Sequence, residues 1–164
     1  MKKYEFTGET KRVELWNRTA TLHRIKATVE FGFVKVGELG GWIEKEENLS
    51  HEGKAWVWGN AKVCGDAEVC GDAKVCGDAN VCGDAKVFLA SHVLVMGSVG
   101  SRNDFTTFFR DKDNEITVKC GCFLGKIDKF LEKVTQTHGN NKYALVYRAA
   151  VEVAKLQIEL TERK

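Results

Sequence analysis

The sequence contains no proline, although average usage in proteins is about 5%. Proline cannot donate a backbone hydrogen bond, so its absence fits a chain whose backbone is held almost wholly in a β framework. The sequence also lacks any run of about 18 apolar residues, the length that a transmembrane helix needs. Its first residues have no apolar signal-peptide core. We therefore expect a cytoplasmic protein with no membrane partner.

A strong excess of either charge is also absent. The formal net charge is +2, and basic and acidic residues are interspersed along the chain, so no polyanion-binding face is predicted and a nucleic-acid partner is not indicated. The acidic run at 44–47 is interpreted as a solvated corner. No cofactor, metal site or catalytic constellation is predicted.

A phrase of six residues repeats almost without change in the middle of the chain. The clear copies begin at Ala55, Ala61, Ala67, Ala73, Ala79 and Ala85, and looser copies begin at Ser91 and Gly97. An α-helix has about 3.6 residues per turn, so residues that recur every sixth position do not stay on one face of it. A period of six does fit a short strand followed by a corner, so the sequence predicts a β-solenoid.

Within one hexad, alternation puts Ala61 and Val63 on the inner face of a strand and Lys62 and Cys64 on the outer face. A Gly-Asp pair then supplies the corner. Three hexads make one triangular coil, so residues 18 apart should stack. The expected interior column is Val57, Val63, Val69, Val75, Val81, Val87, Val93 and Val99. Fewer than three coils result, and so short a stack needs caps at its ends.

The flanks supply those caps, which gives three parts: 1–50, 51–102 and 103–164. In the first part we expect two short strands, 4–7 and 12–16, around a turn, and further strands at 22–25 and 29–34. A first, imperfect coil should begin at Ile43 and Leu49. In the last part we expect a β-hairpin of 105–110 with 116–120, a helix over 125–138 that Gly139 closes, and a second helix over 142–160.

Several motifs resemble those of a family of hexapeptide-repeat proteins that is widespread in phages and prophages. They are residues 6–10 (FTGET), 22–25 (LHRI), 39–44 (LGGWIE), 47–50 (ENLS) and the VCGDA repeats. Residues 120–123 (CGCF) and the segment after them resemble C-terminal regions attached to such repeats. The family is often labelled polymer-forming, and it commonly has Tyr where this chain has Cys64, Cys70, Cys76 and Cys82. The resemblance implies a short left-handed parallel β-helix and no agreed activity.

The cysteines do not match any usual zinc spacing. On a triangular coil only Cys64 and Cys82 stack, and adjacent strands lie within the Cα range of a disulfide. A cytosolic chain keeps thiols reduced, however. We therefore interpret the repeat cysteines as apolar surface fillers and the pair at 120–122 as strand residues.

The outer columns of the coil are unusually apolar, and they supply the candidate residues for binding a partner. These candidates are Trp56, Trp58, Cys76, Leu94, Phe88 and His92. Under the alternative interpretation, the chain's own flanks cover these columns: the N-terminal segment would cover one and the C-terminal helices another.

Three classes of function remain open. The first is a non-catalytic interaction protein, encoded by a phage, that binds a host or viral macromolecule; an anti-CRISPR-type inhibitor of host defence is its most specific form. The second is an acyltransferase with His92 as general base, because many hexapeptide-repeat enzymes use a histidine between subunits. The third is an oligomer that sequesters a small signalling ligand through scattered basic residues: Arg12, Arg18, Arg24 and Lys26. We favour the first class.

The second helix is apolar over a wide arc, so it should bury two sides, one against its own β unit and one against another copy. The sequence therefore predicts a homo-oligomer, a dimer or a trimer. The candidate contact residues are Tyr143, Val146, Tyr147, Ala150 and Val153.

Overall fold

The computed structural model describes residues 2–15, 17–101 and 103–160. Within these ranges the chain is a strand-rich mixed α/β fold, in which several sheets precede two C-terminal helices. None of the described helices is both long enough and apolar enough to cross a membrane. Trp16, which falls in an expected strand, lies outside the described residues.

The N-terminal part forms an antiparallel sheet that joins the repeats. Strands β1 (Tyr4–Glu14), β2 (Thr19–Ala27) and β3 (Leu39–Ile43) pair in that order. The expected turn within 4–16 is wrong: Gly8, with φ +94°, lies in a bulge between Phe6 and Thr10, so one strand continues past it. The strand expected at 29–34 is also wrong, because only an isolated bridge between Phe31 and Val34 forms there.

Each hexad contributes a two-residue strand. These strands are β4 (Trp56–Val57), β5 (Lys62–Val63), β6 (Glu68–Val69), β7 (Lys74–Val75), β8 (Asn80–Val81) and β9 (Lys86–Val87). β4 pairs with β7, β5 with β8 and β6 with β9, all parallel, and the paired residues are 18 positions apart, as in Val63 with Val81. The pairing register predicted from the period is confirmed. The first alanine and the valine of each clear hexad are buried together in the main core.

The pairing extends one step toward the N-terminus, as expected for Ile43 and Leu49. Ile43 pairs with Val63, and Leu49 forms a parallel bridge with Val69. Between them, a 3-10 turn (Glu46–Asn48) replaces the Gly-Asp corner. The Asn48 side chain accepts the N–H groups of Glu44 and Lys45 and donates to the carbonyls of Gly65 and Ala67. One buried amide therefore joins this corner to the next.

The corner glycines allow a direct test of the stacking. Gly71 has φ +61°, and a Cβ there would lie 2.7 Å from the Phe88 carbonyl oxygen on the neighbouring corner. We expect Gly71→Ala to lower the free energy of unfolding by about 3 kcal/mol, through left-handed strain plus this contact. Gly59, at φ +57° with nothing within 4 Å of its Cβ position, is the matched control, and Gly59→Ala should cost only about 1 kcal/mol. Equal losses in urea denaturation would contradict the close approach of the two corners.

The C-terminal part is a second, antiparallel sheet with two helices packed on it. Its strands, in order, are β10 (Val93–Val99), β11 (Asp104–Arg110), β12 (Ile116–Cys120) and β13 (Phe123–Lys126). The helices are α1 (Ile127–His138) and α2 (Lys142–Gln157). The expected hairpin and both helices are confirmed, and Gly139, at φ +61°, ends α1. Strand β13 was not predicted. The predicted α1 begins two residues too early, and the predicted α2 ends three residues too late.

The looser hexad at Gly97 is not a repeat, which corrects the expected column at Val99. Val93 does pack on the main core, but it lies in β10, which pairs antiparallel with β11. No Gly-Asp pair follows Val87; instead a 3-10 turn (Ala90–His92) leads into β10. β11 in turn closes the end of the repeats. Thr107 Oγ1 accepts the Asn80 N–H at 3.0 Å, and Arg110 Nη1 donates to the Lys86 carbonyl at 2.9 Å.

Candidate functional site

Two of the predicted partner-binding residues are buried. Trp56 was expected on an outer column, yet its side chain is fully buried against Phe31 and Tyr4, with ring centroids at 5.3 and 6.2 Å. The N-terminal segment covers it, so Trp56 is a core residue. The ring of His92 is fully buried as well. Neither side chain can contact a partner directly in this fold.

His92 shapes the turn in which it lies. Its Nδ1 accepts the backbone N–H groups of Phe88 at 3.1 Å and Leu89 at 3.2 Å, which lie four and three residues before His92. In the first corner, Asn48 likewise accepts the N–H groups of the residues four and three positions before it. Burial lowers the pKa of His92, and the Arg110 guanidinium lowers it further. The neutral ring is therefore fixed as a backbone acceptor.

This role predicts which replacements His92 tolerates. His92→Ala leaves two N–H groups without their acceptor, and we expect a loss of about 1–3 kcal/mol in the free energy of unfolding. His92→Asn supplies a side-chain oxygen at the same place, as Asn48 does, and should retain most of the wild-type stability. Thermal denaturation of both variants measures the difference. Two equally unstable variants would show that His92 stabilises the turn by its bulk instead.

The remaining candidates are more accessible, though partly covered. Leu94 packs in the core between the second sheet and the helices, Trp58 is half-buried against the main core, and Phe88 is half-buried beneath the Arg110 guanidinium at 4.9 Å. Cys76 is exposed. The alternative interpretation, in which the chain's own flanks cover the outer columns, is therefore confirmed for Leu94.

Cys64 and Cys82 are covered in the same way by the N-terminal sheet. Both pack in a small core with Ala20, Leu22 and Trp42. The outer column that contains the two thiols is thus an internal interface between the repeats and the β1–β2 hairpin. Hydrophobic burial of this column helps to hold the cap on the repeats.

Trp58 borders a surface that the sequence analysis missed. It lines a cleft of about 390 Å³ together with Phe33, Lys54 and Lys74. The Phe33 side chain is 86% exposed, and the Lys74 Nζ lies 5.8 Å from its ring centroid. Val36 is 65% exposed in the same segment. We call these five residues the Phe33 surface. Only the Phe31–Val34 bridge forms within the 29–34 segment, so no neighbouring strand covers this phenylalanine.

The expected oligomerisation residues divide between two sides of α2. Tyr147 and Ala150 are buried in the chain's own core, Val146 is half-buried, and Tyr143 and Val153 are exposed. The outward side also carries two large residues outside the expected contact set. They are Leu145, 61% exposed, and Leu156, 88% exposed. We call Leu145, Ala149, Val153 and Leu156 the α2 face, because residues at this spacing share one side of a helix.

A third site is a cleft of about 510 Å³ where the three parts of the chain meet. The residues that line it come from the β1–β2 connection, two stacked corners and the β12–β13 turn, and include Arg18, Cys64, Asp66, Cys82, Asp84, Lys119 and Cys122. Arg18 forms a bidentate pair with Glu44, at 2.5 and 2.8 Å, and Glu44 Oε1 also accepts the Gly65 N–H. These contacts fix the wall of the cleft against the repeats.

Cys64 and Cys82 form the floor of this cleft and pack in the same small core. The neighbouring Cys82 thiol, with burial, raises the pKa of Cys64. The neighbouring Cys64 thiol holds the pKa of Cys82 below its ordinary value, and the positive charge of Lys119 adds to this effect against the opposing influence of burial.

Within the described part of the chain, no group of three or more His, Cys, Asp or Glu side chains is placed to hold a metal ion. Comparison of the sequence with protein-family models gives no match, and comparison with curated proteins gives none either. The resemblance to phage-type repeat proteins rests on the motifs alone.

Proposed function

We propose that this chain is a non-catalytic interaction protein that acts as a homo-oligomer and binds a second protein. The observation that carries the proposal is the exposure of large apolar side chains at two separate surfaces, the α2 face and the Phe33 surface. Soluble monomers rarely display grouped apolar side chains of this size, and such groups mark contact sites.

The repeats would serve as the rigid support for both surfaces. We infer that the parallel strand pairs belong to a short left-handed β-helix, with the β1–β3 sheet and β11 as its caps. The 18-residue pairing register, the buried Ala and Val positions and the left-handed glycines at the corners support this architecture. The handedness itself comes from the resemblance to phage-type hexapeptide-repeat proteins.

The α2 face fits a second copy of the chain. A twofold axis through Ala149 would place Leu145 of one helix opposite Val153 of the other, with the small alanine allowing close approach at the centre. The opposite side of α2 is already filled by Tyr147, Ala150 and Val151 of the chain's own core. The wide apolar arc of this helix thus has one side for folding and one side for assembly.

The Phe33 surface fits a protein partner that offers an apolar pocket with acidic groups around it. Phe33 and Val36 supply exposed apolar side chains, while Lys54 and Lys74 border the adjacent cleft. Exposed aromatic anchors with a charged rim are typical of protein interfaces. The resemblance to phage proteins supports a host or viral partner, and an inhibitor of host antiviral defence is the most specific form of the proposal.

Affinity capture with matched variants tests the partner site. Wild-type protein immobilised in host lysate should retain a specific protein that Phe33→Glu no longer retains. Phe105→Glu is the control, because Phe105 is 37% exposed on the second sheet, away from the Phe33 surface. Retention that is unchanged by Phe33→Glu, or lost equally with Phe105→Glu, would reject the Phe33 surface as the binding site. The acyltransferase alternative has less support, because the ring of His92 is buried.

A further inference from the structure

Cys64 and Cys82 lie directly opposite each other on neighbouring parallel strands. They follow the paired residues Val63 and Val81 of β5 and β8, and the Cys64 N–H donates to the Val81 carbonyl at 3.0 Å. Both side chains point to the outer side, where they pack in the same small core. The other two repeat cysteines lack this arrangement, since the residue 18 positions after Cys70 is Phe88 and that after Cys76 is Leu94.

The cleft gives this pair a route to solvent. Cys64 and Cys82 are only 1% and 3% exposed, yet both line its floor, and Lys119 and Cys122 stand at its wall. A volume of about 510 Å³ admits a small oxidant without any movement of the β1–β2 hairpin. The pair is thus shielded from large reagents and open to small ones.

We propose that Cys64 and Cys82 are an oxidation site, at which a hydroperoxide converts the two thiols into a disulfide that joins β5 to β8. The Cys82 thiolate attacks the outer peroxide oxygen; an S–O bond forms, the O–O bond breaks, and hydroxide or alkoxide leaves and takes up the proton from Cys82. The Cys64 sulfur then attacks the sulfenic sulfur; the S–S bond forms, the S–O bond breaks, and the hydroxyl leaves as water with the Cys64 proton. The peroxide gains two electrons and the thiol pair loses two.

The position of Lys119 favours Cys82 as the attacking residue. Lys119 lines the same cleft, and the neighbouring Cys64 thiol and the positive charge of Lys119 both lower the pKa of Cys82. The thiolate is the nucleophile in such reactions. Cys64 then resolves the sulfenic acid from the adjacent strand.

The register suits a disulfide. Paired strands lie about 4.8 Å apart, which falls within the Cα spacing of about 4.4–6.8 Å at which a disulfide forms. The oxidised pair would link two layers of the repeats, and a thiol reductant would reverse the link.

Peptide mapping tests the link directly. Trypsin cleaves after Lys62, Lys74 and Lys86, so the two thiols fall on peptides 63–74 and 75–86. In a Cys70→Ser/Cys76→Ser background each of these peptides carries one cysteine. Hydrogen peroxide should join them, with a loss of two hydrogen atoms that dithiothreitol restores. A link from either peptide to 120–126, or peroxide treatment that adds oxygen atoms without any link, would overturn the proposal.

Trapping of sulfenic acids with a 1,3-diketone distinguishes the thiol that attacks the peroxide from the thiol that resolves the sulfenic acid. Cys64→Ala should accumulate a trapped sulfenic acid at Cys82, while Cys82→Ala should react with peroxide at least about tenfold more slowly. Circular dichroism of each variant confirms that it is folded before the rates are compared. Equal rates, or faster reaction of Cys82→Ala, would reject Cys82 as the attacking thiol.

Discussion

Val75→Asp should abolish the cooperative unfolding transition of the protein. Val75 is fully buried at the centre of the repeats, where it pairs with Val57 and packs among the valines of the neighbouring strands. A carboxylate at this position would have no hydrogen-bond donor from the surrounding alanine and valine side chains. We expect a loss of more than about 4 kcal/mol, which is comparable with the whole stability of many small domains.

The neighbouring residue provides the control. Lys74 precedes Val75 on the same strand but is exposed, so Lys74→Ala should change the free energy of unfolding by less than about 0.5 kcal/mol. Circular dichroism with thermal denaturation compares the two variants. A native-like cooperative melt of Val75→Asp would contradict the inward orientation of the whole valine column.

Asp111→Ala should be the most damaging change outside the repeats. The Asp111 carboxylate is buried in the turn between β11 and β12, where Oδ1 accepts the N–H groups of Asp113 and Glu115, and Oδ2 accepts the Thr117 hydroxyl at 2.7 Å. Lys126 Nζ lies 3.1 Å from Oδ2. Removal of the carboxylate takes the acceptor from these buried donors at once, and we expect a loss of about 3–5 kcal/mol.

The pH dependence of the free energy of unfolding provides a second test of the role of Asp111. Burial alone raises the pKa of Asp111, but the hydrogen bonds from Thr117, Lys126 and the two backbone N–H groups outweigh it, and the pKa lies below its ordinary value. The stabilisation is therefore present above pH 4 or so and is lost as the pH falls through the lowered pKa. The stability difference between wild type and Asp111→Ala should narrow on acidification.

Glu115→Ala is the matched control for Asp111. Glu115 also pairs with Lys126, at 2.9 Å, but its side chain is 52% exposed, so its loss should cost at most about 1 kcal/mol. Urea denaturation at pH 7 and pH 3 measures all three proteins. Equal effects of the two substitutions would mean that Lys126 pairing, and not the buried turn, stabilises this hairpin.

The repeats could be predicted because their structure is decided locally. Each hexad contains its own inner pair, such as Ala61 and Val63, and its own Gly-Asp corner, so a single sequence determines which residues face inward. The end of α1 at Gly139 was predictable for the same reason. Even the failure of the repeat after Val87 left a signal, because residues 88–92 contain no Gly-Asp pair.

The covers of the repeats could not be predicted in this way. Trp56 alternates as an outward residue, and only contacts from distant Tyr4 and Phe31 place it in the core. His92 follows the expected spacing of an exposed residue, but the 3-10 turn in which it lies buries it. Such outcomes depend on long-range packing, which a local pattern does not contain.

The candidate sites, too, were predictable only where the local sequence determines them. The stacking of Cys64 on Cys82 follows from the 18-residue register alone, whereas the cleft above them depends on where Arg18 and Lys119 are brought by other parts of the chain. The sequence shows that α2 is apolar over a wide arc. It does not show which side of the helix faces outward, because that depends on how α2 packs on the second sheet.

Sedimentation velocity of the wild-type protein tests the central claim of an interaction protein that assembles through the α2 face. At tens of micromolar we expect a species heavier than the 18.3 kDa chain, with twice that mass for the twofold arrangement about Ala149. Leu145→Glu/Leu156→Glu should sediment as a folded 18.3 kDa monomer, because two charges at exposed positions disrupt the contact between copies without entering the core. A wild-type protein that sediments as a monomer under these conditions would contradict the claim.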